Sequence, residues 1–202
     1  HIASDGWSVP IVQRELMAFY VLELGDEVSM PSPLAVQYAD YACWQRRYLQ
    51  GEVLEAELSY WRDRLLDLPA VHNLPLDYTR PSTQSLRGRS LTRCLGVELT
   101  SSLKALAQGQ QVTLFMLLQT AFSVLLGRFS QSTDVVMGTP IAGRRQLELE
   151  SLVGFFVNTL VLRTEVDGSL SFVDALALNK SMILEAYAHQ DVPFETLVEA
   201  LS

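Results

Sequence analysis

Residues 155–166 read Phe-Phe-Val-Asn-Thr-Leu-Val-Leu-Arg-Thr-Glu-Val, a run rich in β-branched and aromatic side chains. Such a run is typical of a β-strand, because these side chains pack well on a pleated surface. After it the apolar residues change to helical spacing, over 172–188 and again over 194–201. The sequence therefore predicts a long strand followed by two helices.

The segments before this strand also alternate between the two patterns. We expect strands over 90–97 and 134–139, and helices over 100–108 and 113–129. Alternation of this kind predicts an α/β fold.

The first third of the chain is helical in pattern. Apolar residues recur at intervals of three to four in three stretches, 9–22, 34–49 and 52–66. Prolines then recur between residues 69 and 81, where neither a regular helix nor a central strand can continue. We place a domain boundary there, between residues 1–80 and 81–202.

Composition excludes several classes of protein. With 49% hydrophobic residues and a net charge of -8 over 202 residues, the chain is neither disordered nor suited to bind nucleic acid or an anionic membrane. Its two cysteines, Cys43 and Cys94, cannot form a disulfide scaffold, and we expect buried thiols in a reducing compartment.

The longest charge-free apolar stretch, 112–127, is shorter than the roughly 20 residues that a membrane-spanning helix needs. We therefore expect a buried helix there. The chain begins with His1 and shows no leader pattern, so we expect it to be part of something larger.

The first eight residues, His1-Ile-Ala-Ser-Asp5-Gly6-Trp7-Ser8, combine an imidazole with a nearby carboxylate. Histidine can take a proton near neutral pH, and a carboxylate can orient it or brace its loop. Gly6 would allow a tight or positive-φ backbone, and Ser8 can cap the helix that follows. This spacing alone is weak evidence for a catalytic site.

Four further segments strengthen that hypothesis. They are Tyr38-Ala-Asp-Tyr41-Ala-Cys43-Trp44, Gly138-Thr-Pro-Ile-Ala-Gly143-Arg144, Val153-Gly-Phe-Phe-Val157-Asn158-Thr159 and His189-Gln-Asp191-Val-Pro193-Phe-Glu195. With residues 1–8, their order and spacing resemble the condensation domains of nonribosomal peptide synthetases, along the whole chain. That family carries the signature HHxxxDG, and His1 matches its second histidine.

The resemblance implies a fold similar to chloramphenicol acetyltransferase, in which two α/β lobes form a V around an active-site tunnel. Residues 1–80 would then be the end of the N-terminal lobe, and residues 81–202 would be most of the C-terminal lobe.

The resemblance also implies an activity, which is peptide-bond formation in the cytoplasm. The amine of an acceptor aminoacyl thioester would attack a donor thioester. The chain looks most similar to those condensation domains of the family that accept an L-configured donor. Both thioesters would sit on 4'-phosphopantetheine arms of upstream and downstream peptidyl carrier domains, beside a neighbouring adenylation domain. We expect no directly bound cofactor and no metal.

By motif position, His1 would be the catalytic residue, acting on the acceptor amine as general base or as the group that orients it. Asp5 would be structural and would pair with Arg144, with Arg145 and Arg163 as fallback partners. Gly6, Trp7 and Asn158 would complete the support of the active site.

Several of these residues have plainer interpretations. Tyr41, Trp44 and Tyr48 form one helical stripe, for which core packing is favoured over substrate contact. Asn158 could brace the active site or satisfy backbone groups. Asp191 suits an N-cap, and His189 is a second but weaker candidate acid or base.

Two other functions stay open. One is a stand-alone acyltransferase that makes an ester or amide from a coenzyme A or carrier thioester. The other is a non-catalytic docking domain with a condensation-like fold.

Overall fold

A computed structural model describes residues 1–69, 71–79, 81–83, 85 and 87–201. Helices and strands follow in the order α1 (Ser8–Glu23), α2 (Tyr38–Tyr48), α3 (Gly51–Arg64), α4 (Val97–Gly109), α5 (Leu114–Ser130), β1 (Asp134–Ile141), β2 (Asn158–Glu165), α6 (Phe172–Ala188) and α7 (Phe194–Leu201). A short 3-10 helix, Leu147–Leu149, lies between the strands. The predicted helices are all present, with ends shifted by a few residues.

The described residues form two compact units. Unit 1 comprises His1–Leu66, Gly138–Val161 and Ala188–Ser202, and unit 2 comprises Asp67–Met137 and Leu162–Tyr187. The lobe boundary between residues 80 and 81 stays a prediction, and Arg80 itself lies outside the described residues.

The strands β1 and β2 pair to form the sheet of the described chain. Val166 donates its backbone N–H to the carbonyl of Thr133, and Gly138 lies against Thr159, so the strands run in opposite directions. The strands predicted over 134–139 and 155–166 are therefore present, although the second begins only at Asn158.

The strand predicted over 90–97 is wrong. Residues 90–96 have no regular structure, and Val97 already begins α4. Leu91 and Leu95 are 79% and 56% exposed. An alternating pattern forms a strand only where a partner strand takes up its backbone hydrogen bonds, and none lies alongside among the described residues.

The two cysteines also differ from the prediction, since Cys43 and Cys94 are both exposed. Cys43 lies on α2, which buries none of its residues. Cys94 lies in the irregular segment before α4. Neither position offers the packed surroundings that a buried thiol requires.

In unit 1, a small core of Leu149, Leu152 and Phe156 packs against Tyr41 of α2. Trp61 of α3 is 2% exposed, and its indole N–H donates to the carbonyl of His189 at 3.0 Å. The helices α3 and α7 are in contact. These contacts fix the segments that follow β1 and precede α7.

In unit 2, α5 is only partly the buried helix that its apolar sequence predicts. Thr113 caps its first turn by accepting from the backbone N–H of Met116 at 3.2 Å. The buried face carries polar Gln119, Thr120 and Ser123. The aromatic residues of α5 are at least 39% exposed, namely Phe115, Phe122 and Phe129.

Among the described residues, no single helix is long and apolar enough to cross a membrane, and α4 and α5 reach that length only as a pair bent by 103°.

Candidate active site

The carboxylate of Asp5 is 3% exposed and is held by three elements of unit 1. Its Oδ1 accepts from the backbone N–H of Ser8 at 2.9 Å and from Nη2 of Arg144 at 3.2 Å. Its Oδ2 accepts from the backbone N–H of Phe156 at 3.0 Å. The pair of Asp5 and Arg144, which the family resemblance implies, is therefore present.

These bonds keep Asp5 ionised. Burial on its own would raise the pKa of the carboxyl group. The hydrogen bonds from Phe156, Ser8 and Arg144 outweigh that effect and lower the pKa of Asp5 below its ordinary value. A carboxylate so occupied is a brace for its loop and not a proton acceptor near neutral pH.

The guanidinium of Arg144 connects this carboxylate to the segment after β1. Its Nη1 donates to the carbonyls of Leu149 and Leu152, the second at 2.7 Å. Its carbon Cζ lies 4.1 Å from the centre of the Phe156 ring, in cation–π contact. Arg144 thus fixes two turns of backbone while it neutralises Asp5.

Ser8 joins the same cluster, a role that the sequence does not predict. Its hydroxyl, in a residue that is 0% exposed, lies 2.9 Å from both Asp5 Oδ1 and the carbonyl of Gly154. It also accepts from Nη2 of Arg144 and from the N–H of Gly154, each at 3.1 Å. The predicted cap at Ser8 is wrong, because Trp7 occupies the N-cap and Ser8 is the first helical residue. We call Asp5, Ser8, Arg144 and Phe156 the Asp5 cluster.

His1 stands at the end of the loop that this cluster holds. Its imidazole is exposed, and its ring centre lies 5.8 Å from that of Phe155 at an angle of 53°. The carbonyl of Phe155 in turn accepts from the Tyr38 hydroxyl at 2.9 Å. The imidazole is therefore placed beside the ring of Phe155, whose backbone is tied to α2.

Gly6 lies in a turn, as expected, but the positive φ expected as the alternative is absent. Its φ is not positive, and a Cβ there would meet no heavy atom within 4 Å. The demanding glycine is Gly143, whose φ is +65° and whose Cβ would overlap the carbonyl oxygen of Phe156. Trp7 lies outside the cluster and is 59% exposed.

Both the nitrogen and the oxygen of the Asn158 side-chain amide form hydrogen bonds to the backbone. Its Nδ2 donates to the carbonyls of Gln190 and Val192, at 3.1 and 2.8 Å. Its Oδ1 accepts from the backbone N–H groups of Thr159 and Phe194, at 2.9 and 3.0 Å. Asn158 thus satisfies the backbone, and it ties the start of β2 to the loop before α7.

Asp191 is not the predicted cap of the last helix. Asn158 takes the N–H of Phe194, while Asp191 Oδ2 accepts from Arg145 Nη1 at 2.6 Å. Of the fallback partners for Asp5, Arg145 is thus engaged in unit 1, and Arg163 pairs with Asp134 in unit 2 at 2.7 Å.

His189, the second candidate acid or base, is engaged by α3. Its Nδ1 lies 3.0 Å from Glu57 Oε2, and its ring stacks on Tyr60 with centres 3.8 Å apart. This arrangement anchors the loop before α7 to α3.

The prediction of core packing for the aromatic stripe on α2 holds for Tyr41 but not for Trp44 and Tyr48. Only Tyr41 packs against the core, while Trp44 and Tyr48 are 42% and 41% exposed. These two rings stack at 5.1 Å with their planes 8° apart. The stripe lines a cavity instead. Helical spacing of aromatic residues is the same for a core and for a cavity wall, so the spacing could not distinguish them.

A sequence profile of the condensation domain matches residues 1–202, the whole chain. This chain belongs to the condensation-domain family. One of the proteins that make up the linear gramicidin synthase of Brevibacillus parabrevis is 47% identical to it over 201 residues. That alignment covers 100% of this chain and 4% of the relative, so the chain spans a small part of the synthetases that it matches.

Solved structures agree with the family. The X-domain in its complex with OxyB from teicoplanin biosynthesis has a TM-score of 0.87 and 30% identity, over 99% of this chain and 45% of that one. The four-domain nonribosomal peptide synthetase AB3403 has a TM-score of 0.85 and 28% identity, over 98% of this chain and 15% of that one. The predicted α/β class with chloramphenicol acetyltransferase-like lobes is confirmed, as is partial coverage of the domain.

Within this condensation domain, sequence reasoning missed Ser8, Gly143 and Gly154 as parts of the site. A Cβ on Gly154 would overlap the ring of Tyr38, so that glycine lets α2 approach the segment before β2. The available signal was the position of each residue inside a family motif. Spacing alone could not show which partners they meet.

Proposed function

We propose that this condensation domain catalyses peptide-bond formation between a carrier-bound donor thioester, of the L-configured type, and the amine of a carrier-bound acceptor. The thioesters are carried on 4'-phosphopantetheine arms of upstream and downstream carrier domains, with an adenylation domain adjacent, in the cytoplasm. The observation that supports this most directly is the buried Asp5 cluster, which holds the loop that carries His1.

The chemistry follows from what His1 can reach. The amine must lose a proton as it attacks the thioester carbonyl, and an exposed imidazole can accept that proton or hydrogen-bond the amine. The thiol of the donor arm leaves as the amide bond forms. Asp5 does not touch His1 in the contacts of the described residues, because its oxygens are occupied by Ser8, Arg144 and Phe156. Its role is to position the loop.

The typical sizes of two rate effects indicate how much each contributes to the proposed reaction. A general base is typically worth about 10²- to 10⁴-fold in rate. Holding two reactants in attack geometry is worth an effective molarity of roughly 10⁵ to 10⁸ M. We therefore assign most of the rate to the alignment of the two carrier arms, and the smaller part to proton transfer by His1. Asn158, Gly6 and Trp7 belong to the supporting structure in this proposal.

The test is a His1→Ala variant of the intact domain, assayed for dipeptide formation from two loaded carriers. We expect the rate to fall by about 10²- to 10⁴-fold. His72→Ala, which changes an exposed histidine in the proline-containing segment between residues 69 and 81, is the control and should retain the normal rate. A His1→Ala enzyme that works within a few-fold of normal would refute an essential role for His1. We also expect the 202-residue piece alone to show little activity.

A non-catalytic docking domain is the second candidate, because the X-domain in complex with OxyB resembles this chain over 99% of its length. That candidate predicts no dipeptide from the intact wild-type domain, together with stable binding of a partner protein. Dipeptide formation that depends on His1 would exclude it. A dependence on carrier-bound acceptor amine would likewise exclude a stand-alone acyltransferase.

A further inference from the structure

Helix α3 holds the 189–193 loop, which precedes α7, through three contacts with His189. Nε1 of Trp61 donates to the His189 carbonyl at 3.0 Å, and the ring of Tyr60 stacks on the imidazole with centres 3.8 Å apart. Nδ1 of His189 lies 3.0 Å from Oε2 of Glu57. Because an ionised carboxylate only accepts hydrogen bonds, Nδ1 carries the proton that faces it. One helix thus fixes both the backbone and the ring of His189.

The pair of Glu57 and His189 is sheltered from solvent. Its two side chains are 17% and 31% exposed, and the neighbouring Trp61 is 2% exposed. A fully exposed ion pair contributes little to stability, whereas a hydrogen bond to a largely buried charged group contributes more. Removal of the Glu57 carboxylate should therefore loosen the attachment of His189 to α3.

The 189–193 loop is in turn bonded to the segment that precedes β2. Nδ2 of Asn158 donates to two carbonyls of the loop, at 3.1 and 2.8 Å. Asn158 lies two residues after Phe156, whose backbone N–H belongs to the Asp5 cluster. The ring of Phe155, in the same segment, has its centre 5.8 Å from that of the His1 ring. The ring beside His1 thus belongs to a segment that the Asp5 cluster and the 189–193 loop both hold.

A second connection joins the 189–193 loop to the segment after β1. Oδ2 of Asp191 accepts from Nη1 of Arg145 at 2.6 Å. Arg145 directly follows Arg144, the cation that pairs with Asp5. The loop therefore bonds to both segments, 144–145 and 156–158, that complete the Asp5 cluster from the later part of the chain.

We propose that Glu57 and His189 are positioning residues for His1. Helix α3 holds His189, the 189–193 loop holds the two segments, and these segments hold Phe155 and the Asp5 cluster against the loop that carries His1. Glu57 and His189 act through this series of contacts and not on the substrate. The inference rests on the proposed function, in which His1 acts on the acceptor amine. A misplacement of about 1 Å can cost roughly 10²-fold in rate, so a looser support should lower the rate measurably.

The first experiment is a double-mutant cycle of Glu57→Ala and His1→Ala, measured as dipeptide formation by the full-length protein. In the presence of His1, Glu57→Ala should lower kcat by about 10-fold and change KM for the loaded acceptor carrier by less than about 2-fold. In the His1→Ala background, the same change should lower the rate by less than about 2-fold, because no imidazole remains to be positioned. A merely structural role would lower the rate equally in both backgrounds.

Three further variants define the contact. Glu57→Gln keeps an oxygen that can accept from His189 Nδ1, so its rate should stay close to normal. Asp63→Ala removes an exposed carboxylate of the same helix and is the matched control, with normal kcat and KM expected. If circular dichroism shows that Glu57→Ala does not fold, His189→Asn replaces it in the cycle, since it keeps an N–H donor but loses the ring that stacks on Tyr60.

The second experiment measures His1 without any synthesis. Diethyl pyrocarbonate acylates accessible imidazoles, and mass spectrometry of the peptide that contains His1 gives the rate of its modification. Glu57→Ala should raise that rate by more than about 2-fold, because a loosely held loop opens more often. The exposed His72 is the internal reference, and its rate should not change.

The two experiments separate this inference from the proposed function. Where the wild type forms dipeptide and needs His1, the cycle decides: a normal kcat for Glu57→Ala, or equal losses in both backgrounds, would overturn the positioning role while the function stands. Where no dipeptide forms, or His1→Ala is fully active, the proposed function is wrong and the modification rate decides. An unchanged rate at His1 then overturns the inference, and a raised rate supports it.

Discussion

The Asp5 cluster of unit 1 and the buried polar cluster around Asn179 of unit 2 use different chemistry. The first contains a full ion pair, since the side chains of Arg144 and Asp5 are 2% and 1% exposed. The second is neutral: Asn179, at 3% exposed, donates to Gln119 and Thr120 and accepts from Thr164 at 3.1 Å. We call these four residues the Asn179 cluster.

The two clusters also differ in what they connect. The Asn179 cluster ties α5 and α6, which also pack through Leu117 and Leu176, to β2. The Asp5 cluster ties a loop to segments that have little regular structure of their own. Buried charge is costly unless every partner is present. Its use in unit 1 indicates that loop position, and not core stability, is what that cluster supplies.

The largest expected effect is the removal of Arg144. An Arg144→Met variant leaves Asp5 buried without its cation, and the free energy of unfolding of the intact domain should fall by about 3–5 kcal/mol. Urea denaturation measures it. Arg145→Met is the control: its pair is half exposed on the arginine side, and the loss should stay below about 1 kcal/mol. Equal losses in the two variants would contradict the comparison.

A smaller loss is expected in unit 2. Asn179→Ala removes the partner of Gln119 Oε1 and of the Thr164 hydroxyl proton, both buried, which should cost about 1–3 kcal/mol in the same measurement. A triple variant, Gln119→Leu with Thr164→Val and Asn179→Leu, should recover part of that loss, because three apolar side chains need no partners. If Asn179→Ala destabilises as much as Arg144→Met, charge is not what separates the clusters.

The smallest effect is a pH dependence confined to the Asp5 cluster. The folded pKa of Asp5 is lowered, so its stabilisation is complete above its unfolded pKa of about 3.9 and is lost as the pH falls through the folded value. The difference in unfolding free energy between wild type and Asp5→Asn should therefore be constant above about pH 5 and narrow below about pH 4. The difference caused by Asn179→Ala should stay flat across that range.

The helices could be predicted well, because the spacing of apolar residues that defines a helix lies within the helical segment itself. The ends of α1 and α6 lie within one residue of the predicted 9–22 and 172–188. The strand over 90–97 could not be judged in the same way, because a strand depends on a partner that the segment does not contain. Likewise, the period of Tyr41, Trp44 and Tyr48 is the same whether the stripe faces a core or a cavity.

The contacts of the candidate site could likewise be predicted only in part from the sequence. The pairing of Asp5 with Arg144 comes from family resemblance and not from spacing, since 139 residues separate the two. The sequence around Ser8 favours a helix cap, because that role needs only local partners. Besides Asp5, its hydroxyl contacts the carbonyl and the N–H of Gly154, far along the chain, and no local pattern encodes those two contacts.

This sequence separation has a consequence for the order of folding. Residues 5–8 can meet residues 144–156 only after a loop of more than a hundred residues has closed, so the ion pair is a contact of high contact order. Such contacts form late, and their loss is then expressed mainly as faster unfolding with little change in the folding rate. We therefore expect the contacts that hold the loop of His1 to be among the late-forming contacts of unit 1.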